Sequence, residues 1–87
     1  MERDLMIEII QALKDKAYEQ KQEYLQEKDE KEKLLSFMCL VGLVSALSTI
    51  KMKIMEFHPL DTDEEYNEVY KQYGLDFDID AKYFSLK

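Results

Sequence analysis

Three aspartates alternate with other residues near the end of the chain, at Asp76, Asp78 and Asp80. Carboxylates at the first, third and fifth positions of a loop can open a calcium site. Such a loop also needs glycine at its sixth position and a bidentate glutamate at its twelfth, where this chain has Ala81 and Lys87. The pattern therefore predicts a solvated face of an extended segment, without bound calcium.

A second acidic group, Glu64, Glu65 and Glu68, has a spacing that places carboxylates on one side of a helix. In this spacing the segment resembles the magnesium-binding helix of the all-α nucleotide pyrophosphohydrolases. Those enzymes need a second acidic pair downstream, whereas no glutamate follows Glu68 here. The resemblance covers five residues and predicts neither bound magnesium nor hydrolysis.

The single histidine, His58, is close in sequence to Asp61 and Asp63, and imidazole with carboxylates can bind zinc or manganese. His58 precedes Pro59, so it is predicted to cap a helix end instead. Cys39 lies in an apolar run that keeps a thiol inert. We therefore predict no catalytic residue, no metal site and no cofactor, and a protein that is not an enzyme.

The composition predicts an all-α fold in one small domain, residues 1–87. Only two glycines and one proline occur, and apolar residues recur at spacings of three and four. The predicted helices span about residues 3–26, 34–57 and 63–73. The first two are predicted to form a helical hairpin; one helix continuing through the charged residues 26–33 is the competing interpretation.

The third predicted helix has sequence signals at both ends. Thr62 and Glu65 match a capping box, and Gly74 suits a C-terminal cap. Beyond it, residues 75–80 alternate between apolar and acidic, which predicts an extended arm with one face buried. A last helical turn capped by Asp80 is the alternative.

The run from residue 34 to residue 50 contains no charged residue, although 36% of the chain is charged. Its length is just below the ~18–20 residues that cross a bilayer, so a single membrane span over 34–52 is one interpretation. The amphipathic pattern continues past Lys51 and Lys53, which favours a soluble helix. Because so short a chain cannot cover a helix that is apolar on nearly every side, we predict a homo-oligomeric helical bundle.

The second predicted helix carries small residues near one line, where two backbones can approach closely. Gly42 on this line fits either a second copy or the first helix of its own chain. The predicted oligomer interface comprises Phe37, Cys39, Leu40, Gly42, Leu43, Ala46 and Leu47.

The net charge of −7 argues against nucleic-acid binding, which requires clustered lysine and arginine. The acidity is concentrated in residues 58–87 and favours a basic protein partner, with this protein as a small inhibitor or adaptor. In size and composition the chain resembles small inhibitors of phages and mobile elements. A merely solubilising surface is the competing interpretation. The predicted partner-binding residues are Asp61, Asp63, Glu64, Glu65, Glu68, Asp76, Asp78 and Asp80.

A second functional hypothesis is a small anionic, nucleotide-like ligand in pockets between subunits. Tyrosine offers a stacking face and a hydroxyl, and lysine offers a counter-charge. Ordinary packing of the tyrosines between helices is the alternative. The predicted pocket residues are Tyr18, Lys21, Tyr24, Tyr66, Tyr70 and Lys71.

The predicted localisation is cytoplasmic. A single cysteine allows no disulfide within the chain, and the N-terminal residues are acidic where a signal peptide carries positive charge.

Overall fold

The structure, a computed structural model, describes residues 3–76 and 78–84, and of Asp80 it describes the backbone alone. Four helices follow one another: α1 (Arg3–Gln26), α2 (Glu30–Phe57), α3 (Asp63–Gln72) and α4 (Ile79–Phe84). No strand occurs in the described ranges, so the predicted all-α class is confirmed. α1 and α2 pack along each other as a helical hairpin; α3 packs against α2, and α4 packs against both helices of the hairpin.

The turn of the hairpin, residues 27–29, is fixed by two acidic side chains. Glu27 Oε1 accepts hydrogen bonds from the next two backbone N–H groups, each at 3.0 Å. Asp29 is the N-cap of α2, and its Oδ1 accepts from the N–H groups of Lys31 and Glu32 at 2.8 and 3.2 Å. α2 therefore begins at Glu30, earlier than the predicted residue 34.

The core lies between the two arms of the hairpin and the C-terminal segment. α2 buries one side only, through residues spaced by three, four and seven positions. The buried hydrophobic residues, each 0–3% exposed, are Ile10, Ala17, Leu40, Val44, Leu47, Ile54, Tyr70, Leu75, Ile79 and Tyr83. The sequence of α2 is apolar all round, but its packing within the chain is one-sided.

α3 begins at the predicted residue and ends one residue earlier than predicted, with Thr62 as its N-cap and Gly74 just beyond its C-terminal end. Thr62 Oγ1 accepts from the N–H of Glu65 at 3.2 Å. Gly74 has φ 77°, and its N–H and that of Leu75 donate to carbonyls of the last turn at 3.1 and 2.9 Å. Glycine at this left-handed position avoids a strain of about 1–2 kcal/mol.

The prediction of an extended arm over residues 75–80 is wrong from residue 78 onward, where a turn leads into a helix, whereas Leu75 and Asp76 belong to no helix or strand. Residues 79–84 form α4, and Leu75, Ile79 and Tyr83 bury side chains at intervals of four. Phe77, which the prediction also placed on the buried face, lies outside the described residues. The alternative of a last helical turn is closer, although α4 already begins at Ile79.

The helix is favoured over the extended arm because it pairs the backbone N–H and C=O groups of this segment. A lone strand leaves its N–H and C=O groups without partners, whereas a helical turn pairs them internally. The N–H of Lys82, for example, donates to the carbonyl of Asp78 at 3.0 Å. Two lysines of α1 also hold this segment: Lys14 Nζ donates to the carbonyl of Gly74 at 2.7 Å, and Lys21 Nζ to that of Lys82 at 3.0 Å.

Candidate functional site

The side of α2 opposite the core is apolar and exposed. Leu34, Leu35, Met38 and Met52 are each 54 to 62% exposed, and Val41 is 37% exposed. We define the outer face of α2 as the exposed, uncharged residues Leu34, Leu35, Met38, Val41, Gly42, Ser45, Thr49 and Met52. Their combined exposed area is on the order of 500 Å², as large as the largest apolar patch of many monomers, ~300–600 Å², and such patches are often binding surfaces.

Gly42 lies in the middle of this face. A Cβ atom added there would meet nothing within 4 Å, so Gly42 makes no close contact with α1. That excludes the intrachain alternative left open by the sequence. A glycine inside a helix costs about 0.5–1 kcal/mol relative to alanine, and no contact of the described chain offsets this cost.

The residues of the predicted oligomer interface all lie on α2, and two of them have no exposed surface. Leu40 and Leu47 are 0% exposed and pack in the core, so they offer no surface to a second copy. Phe37, Leu43 and Ala46 are half-buried at the edges, whereas Cys39 and Gly42 are exposed. The prediction did not include the exposed residues Leu34, Leu35, Met38 and Val41, because an entirely apolar helix does not show which side its own core occupies.

A cavity of about 230 Å³ opens beside the outer face, between the start of α1 and the end of α2. It is lined by the apolar side chains of Met6, Ile9, Ile50, Ile54 and Phe57, together with Thr49 and Lys53. Ile9 is 38% exposed and Phe57 is 77% exposed. The exposed apolar surface of α2 therefore continues onto α1 at this end of the hairpin.

The predicted acidic residues do not form one continuous band. Asp61, Asp63, Glu64, Glu65 and Glu68 are exposed around the start of α3, as is Asp78 in the segment before α4. Asp76 instead accepts a hydrogen bond from Lys82 Nζ at 2.8 Å and lies 3.8 Å from Lys14 Nζ. The side chain of Asp80 lies outside the description.

Among the described residues, no three His, Cys, Asp or Glu side chains are grouped so that they could hold a metal ion. His58 caps the end of α2, and its backbone N–H donates to the carbonyl of Ile54 at 2.9 Å. Lys71, one of the predicted ligand-pocket residues, lies 3.4 Å from Glu68 in an exposed ion pair. Such a pair on one helix contributes only ~0.3–0.5 kcal/mol.

The tyrosines predicted to line a ligand pocket lie in different places. Tyr24 of α1 packs beside the hairpin turn, with its ring centroid 5.7 Å from that of Phe37. Tyr66 and Tyr70 stack on α3 with centroids 6.1 Å apart, and the hydroxyl of Tyr66 accepts from the N–H of Leu60 at 2.8 Å. Tyr18 is 62% exposed on α1. One chain therefore does not bring these side chains into a common pocket.

Two tyrosines and one lysine have shifted pKa values. Burial raises the pKa of Tyr70 and of Tyr83 above the ordinary value of 10.0. The hydrogen bond to Asp76 raises the pKa of Lys82 above the ordinary value of 10.5. All three pKa values move further from neutral pH, where a general acid or base is most effective. The shifts reflect the burial of the two tyrosines and the contact of Lys82 with Asp76.

α2 is long and apolar enough to cross a membrane, and 17% of its most apolar 18-residue window is buried within the chain. Length and composition fit both a membrane span and a helix whose outer face docks against another protein. The two cases differ in what happens to the buried side of α2, which packs against α1.

No protein-family model matches the chain, and no curated protein or solved structure is significantly similar to it. The functional proposal therefore rests on the surface of the helices and on the outer face of α2 above all.

Proposed function

We propose that the protein is a non-enzymatic, self-associating helical binding protein, in which a second copy covers the outer face of α2. The supporting observation is the exposure of Leu34, Leu35, Met38 and Met52 on one side of a helix. An apolar patch near the upper end of the ~300–600 Å² range found on monomers is often a site of protein–protein contact. Two such faces together supply ~1,000 Å², about the minimum for a specific protein interface.

A single membrane span formed by α2 is the competing proposal. In the hairpin, α1 lies along α2 and exposes Glu8, Asp15 and Glu19. A charged side chain near the centre of a bilayer costs at least about 2.5–3.5 kcal/mol. The free energy of inserting the intact hairpin into lipid is therefore unfavourable. Insertion would have to separate α2 from α1 and give up the packing of Leu40 and Leu47. Self-association covers the outer face without that loss.

The basic-partner hypothesis has support from charge alone. Five exposed carboxylates between Asp61 and Glu68 lie outside the outer face of α2, so pairing through that face leaves them at the surface. We propose that they are available to a basic protein there, with the assembly as the scaffold that presents more than one copy.

The test is the mass of the purified chain in detergent-free buffer, measured by multi-angle light scattering from low to high micromolar concentration. We expect a dimer, at twice the chain mass of 10.4 kDa, that dissociates on dilution. A single-chain mass at high micromolar concentration would contradict the proposal. Recovery only in detergent, with α2 protected from protease in vesicles, would instead establish the membrane span.

A further inference from the structure

We propose that two copies pair α2 with α2 in antiparallel orientation, about a two-fold axis that crosses the outer face between residues 43 and 44. The inference rests on the proposed self-association and specifies its geometry. It is supported by the charges at the two ends of the outer face, by the small residues at its centre and by the cavity at one edge.

The first support is a pair of opposite charges that frame the outer face. Lys31 and Glu56 are exposed and are separated by 25 residues, about seven turns of a helix, so both lie on the same side of α2. Glu56 also forms an exposed ion pair with Lys53 of its own helix at 3.1 Å, and its carboxylate can accept from Lys31 of the partner as well. Their midpoint falls between residues 43 and 44. In the antiparallel pair, Lys31 of each copy meets Glu56 of the other, whereas a parallel pair places like charges together.

The acidic α3 helices favour the same orientation. α3 follows the C-terminal end of α2, and α2 with its 28 residues is ~42 Å long at 1.5 Å per residue. Antiparallel pairing places the two acidic helices at opposite ends, far beyond the ~8 Å screening length of physiological salt. Parallel pairing would bring both to the same end, where they repel each other.

The second support is the pair of small residues beside the axis. In this register, Gly42 of one copy faces Ser45 of the other. Both are exposed, and nothing lies within 4 Å of the Cβ position of Gly42. The two backbones can therefore approach closely at the crossing point, which gives this exposed helical glycine a role.

The third support is the cavity at the edge of the outer face. Leu35, Gly42 and Thr49 are seven residues apart and lie on one edge of the face, and Thr49 lines the cavity. A two-fold axis perpendicular to both helices brings the same edge of each copy together. Leu35 of the partner, 54% exposed in one chain, then lies beside Thr49 and Lys53 at the mouth of the cavity and can fill the apolar space beside Ile9.

The orientation is tested by disulfide formation in a Cys39→Ala background. Positions 38 and 49 face each other in the proposed register, so an equimolar mixture of the Met38→Cys and Thr49→Cys variants is expected to form a mixed disulfide. Neither variant alone should cross-link, because two copies of position 38 are 11 residues apart along the pair, ~16 Å. Disulfides require Cα atoms within about 7 Å.

The outcomes separate the orientation from the self-association. A disulfide between two Met38→Cys chains would show parallel pairing, and a dimer that forms no mixed disulfide would show another interface; either overturns the proposed geometry and leaves self-association standing. A single-chain mass for the unmodified protein overturns both proposals. Circular dichroism of each variant confirms that the helices are intact.

A charge exchange provides an independent check. In the Lys31→Glu variant, the new glutamate of each copy lies opposite Glu56 of the other copy. This repulsion is expected to weaken the dimer about tenfold. Adding Glu56→Lys restores opposite charges and should recover the affinity, since the ion pair with Lys53 that it also removes is exposed and contributes only ~0.3–0.5 kcal/mol. The matched control exchanges Lys16 and Glu19, an exposed pair on α1 at 3.5 Å, and should leave the affinity unchanged. Failure of the double variant to recover contradicts the proposed register.

Discussion

Replacement of Met38 by glutamate is expected to abolish self-association and to leave the helical fold intact. Met38 is 60% exposed on the outer face, outside the buried core, so the substitution removes no core contact within the chain. In the dimer, however, the new carboxylate would be buried against Thr49 of the partner and lose most of its contact with water. An unpaired charge buried in this way costs several kcal/mol, which weakens the dimer at least about a hundredfold. Sedimentation equilibrium measures the change.

The matched control is Tyr18→Glu. Tyr18 is 62% exposed on α1, so a large side chain of nearly equal exposure is replaced by the same carboxylate away from the outer face. The dimer dissociation constant of this variant is expected to stay within about twofold of the original, as for an ordinary surface substitution. A Met38→Glu protein that still forms the dimer would show that the outer face is not the interface.

Replacement of Leu47 by alanine is expected to lower the free energy of unfolding by about 2–5 kcal/mol. Leu47 is 0% exposed, and its truncation leaves a cavity between α2 and the rest of the core. For a domain of this size the total stability is on the order of 4–13 kcal/mol, so one substitution removes a large fraction of it. Urea unfolding followed by circular dichroism, at a concentration where the protein is a monomer, measures the loss.

Leu35→Ala is the counterpart on the opposite side of the same helix. Leu35 is 54% exposed, so its truncation should change the stability of the monomer by less than about 1 kcal/mol. The same substitution should weaken the dimer, because it removes the side chain that enters the partner's cavity. Equal losses of monomer stability for Leu35→Ala and Leu47→Ala would show that the two sides of α2 are assigned incorrectly.

Local signals in the sequence predicted much of the fold. The bounds of α1 and the start of α3 follow from periodic apolar residues and from the cap at Thr62, which act over a few residues. Gly74 likewise marks its own left-handed position. Such features depend on neighbours in sequence, so a single chain is enough to identify them.

The side of α2 that faces the core could be identified only from the packed structure. α2 lacks a polar side, so the sequence could not show that Leu40 and Leu47 face inward while Leu34 and Met38 face outward. Two residues of the predicted oligomer interface are therefore buried in the core of the chain itself.

The C-terminal segment carries two patterns at once. Leu75 and Ile79 fit an alternation of period two with the aspartates between them, and together with Tyr83 they also fit a spacing of four. In the structure the spacing of four is the one that matches burial: Leu75, Ile79 and Tyr83 are all buried, and α4 contacts both α1 and α2. Only tertiary contacts decide between such overlapping periodicities.

Hydroxyl-radical footprinting of the unmodified protein at low and at high concentration tests the central claim most directly. Met38, Met52 and Tyr18 are almost equally exposed in one chain, at 60, 62 and 62%. If a second copy covers the outer face of α2, the oxidation of Met38 and Met52 falls as the concentration rises while that of Tyr18 does not change. Oxidation of both methionines that stays constant at every concentration, in step with Tyr18, would contradict it.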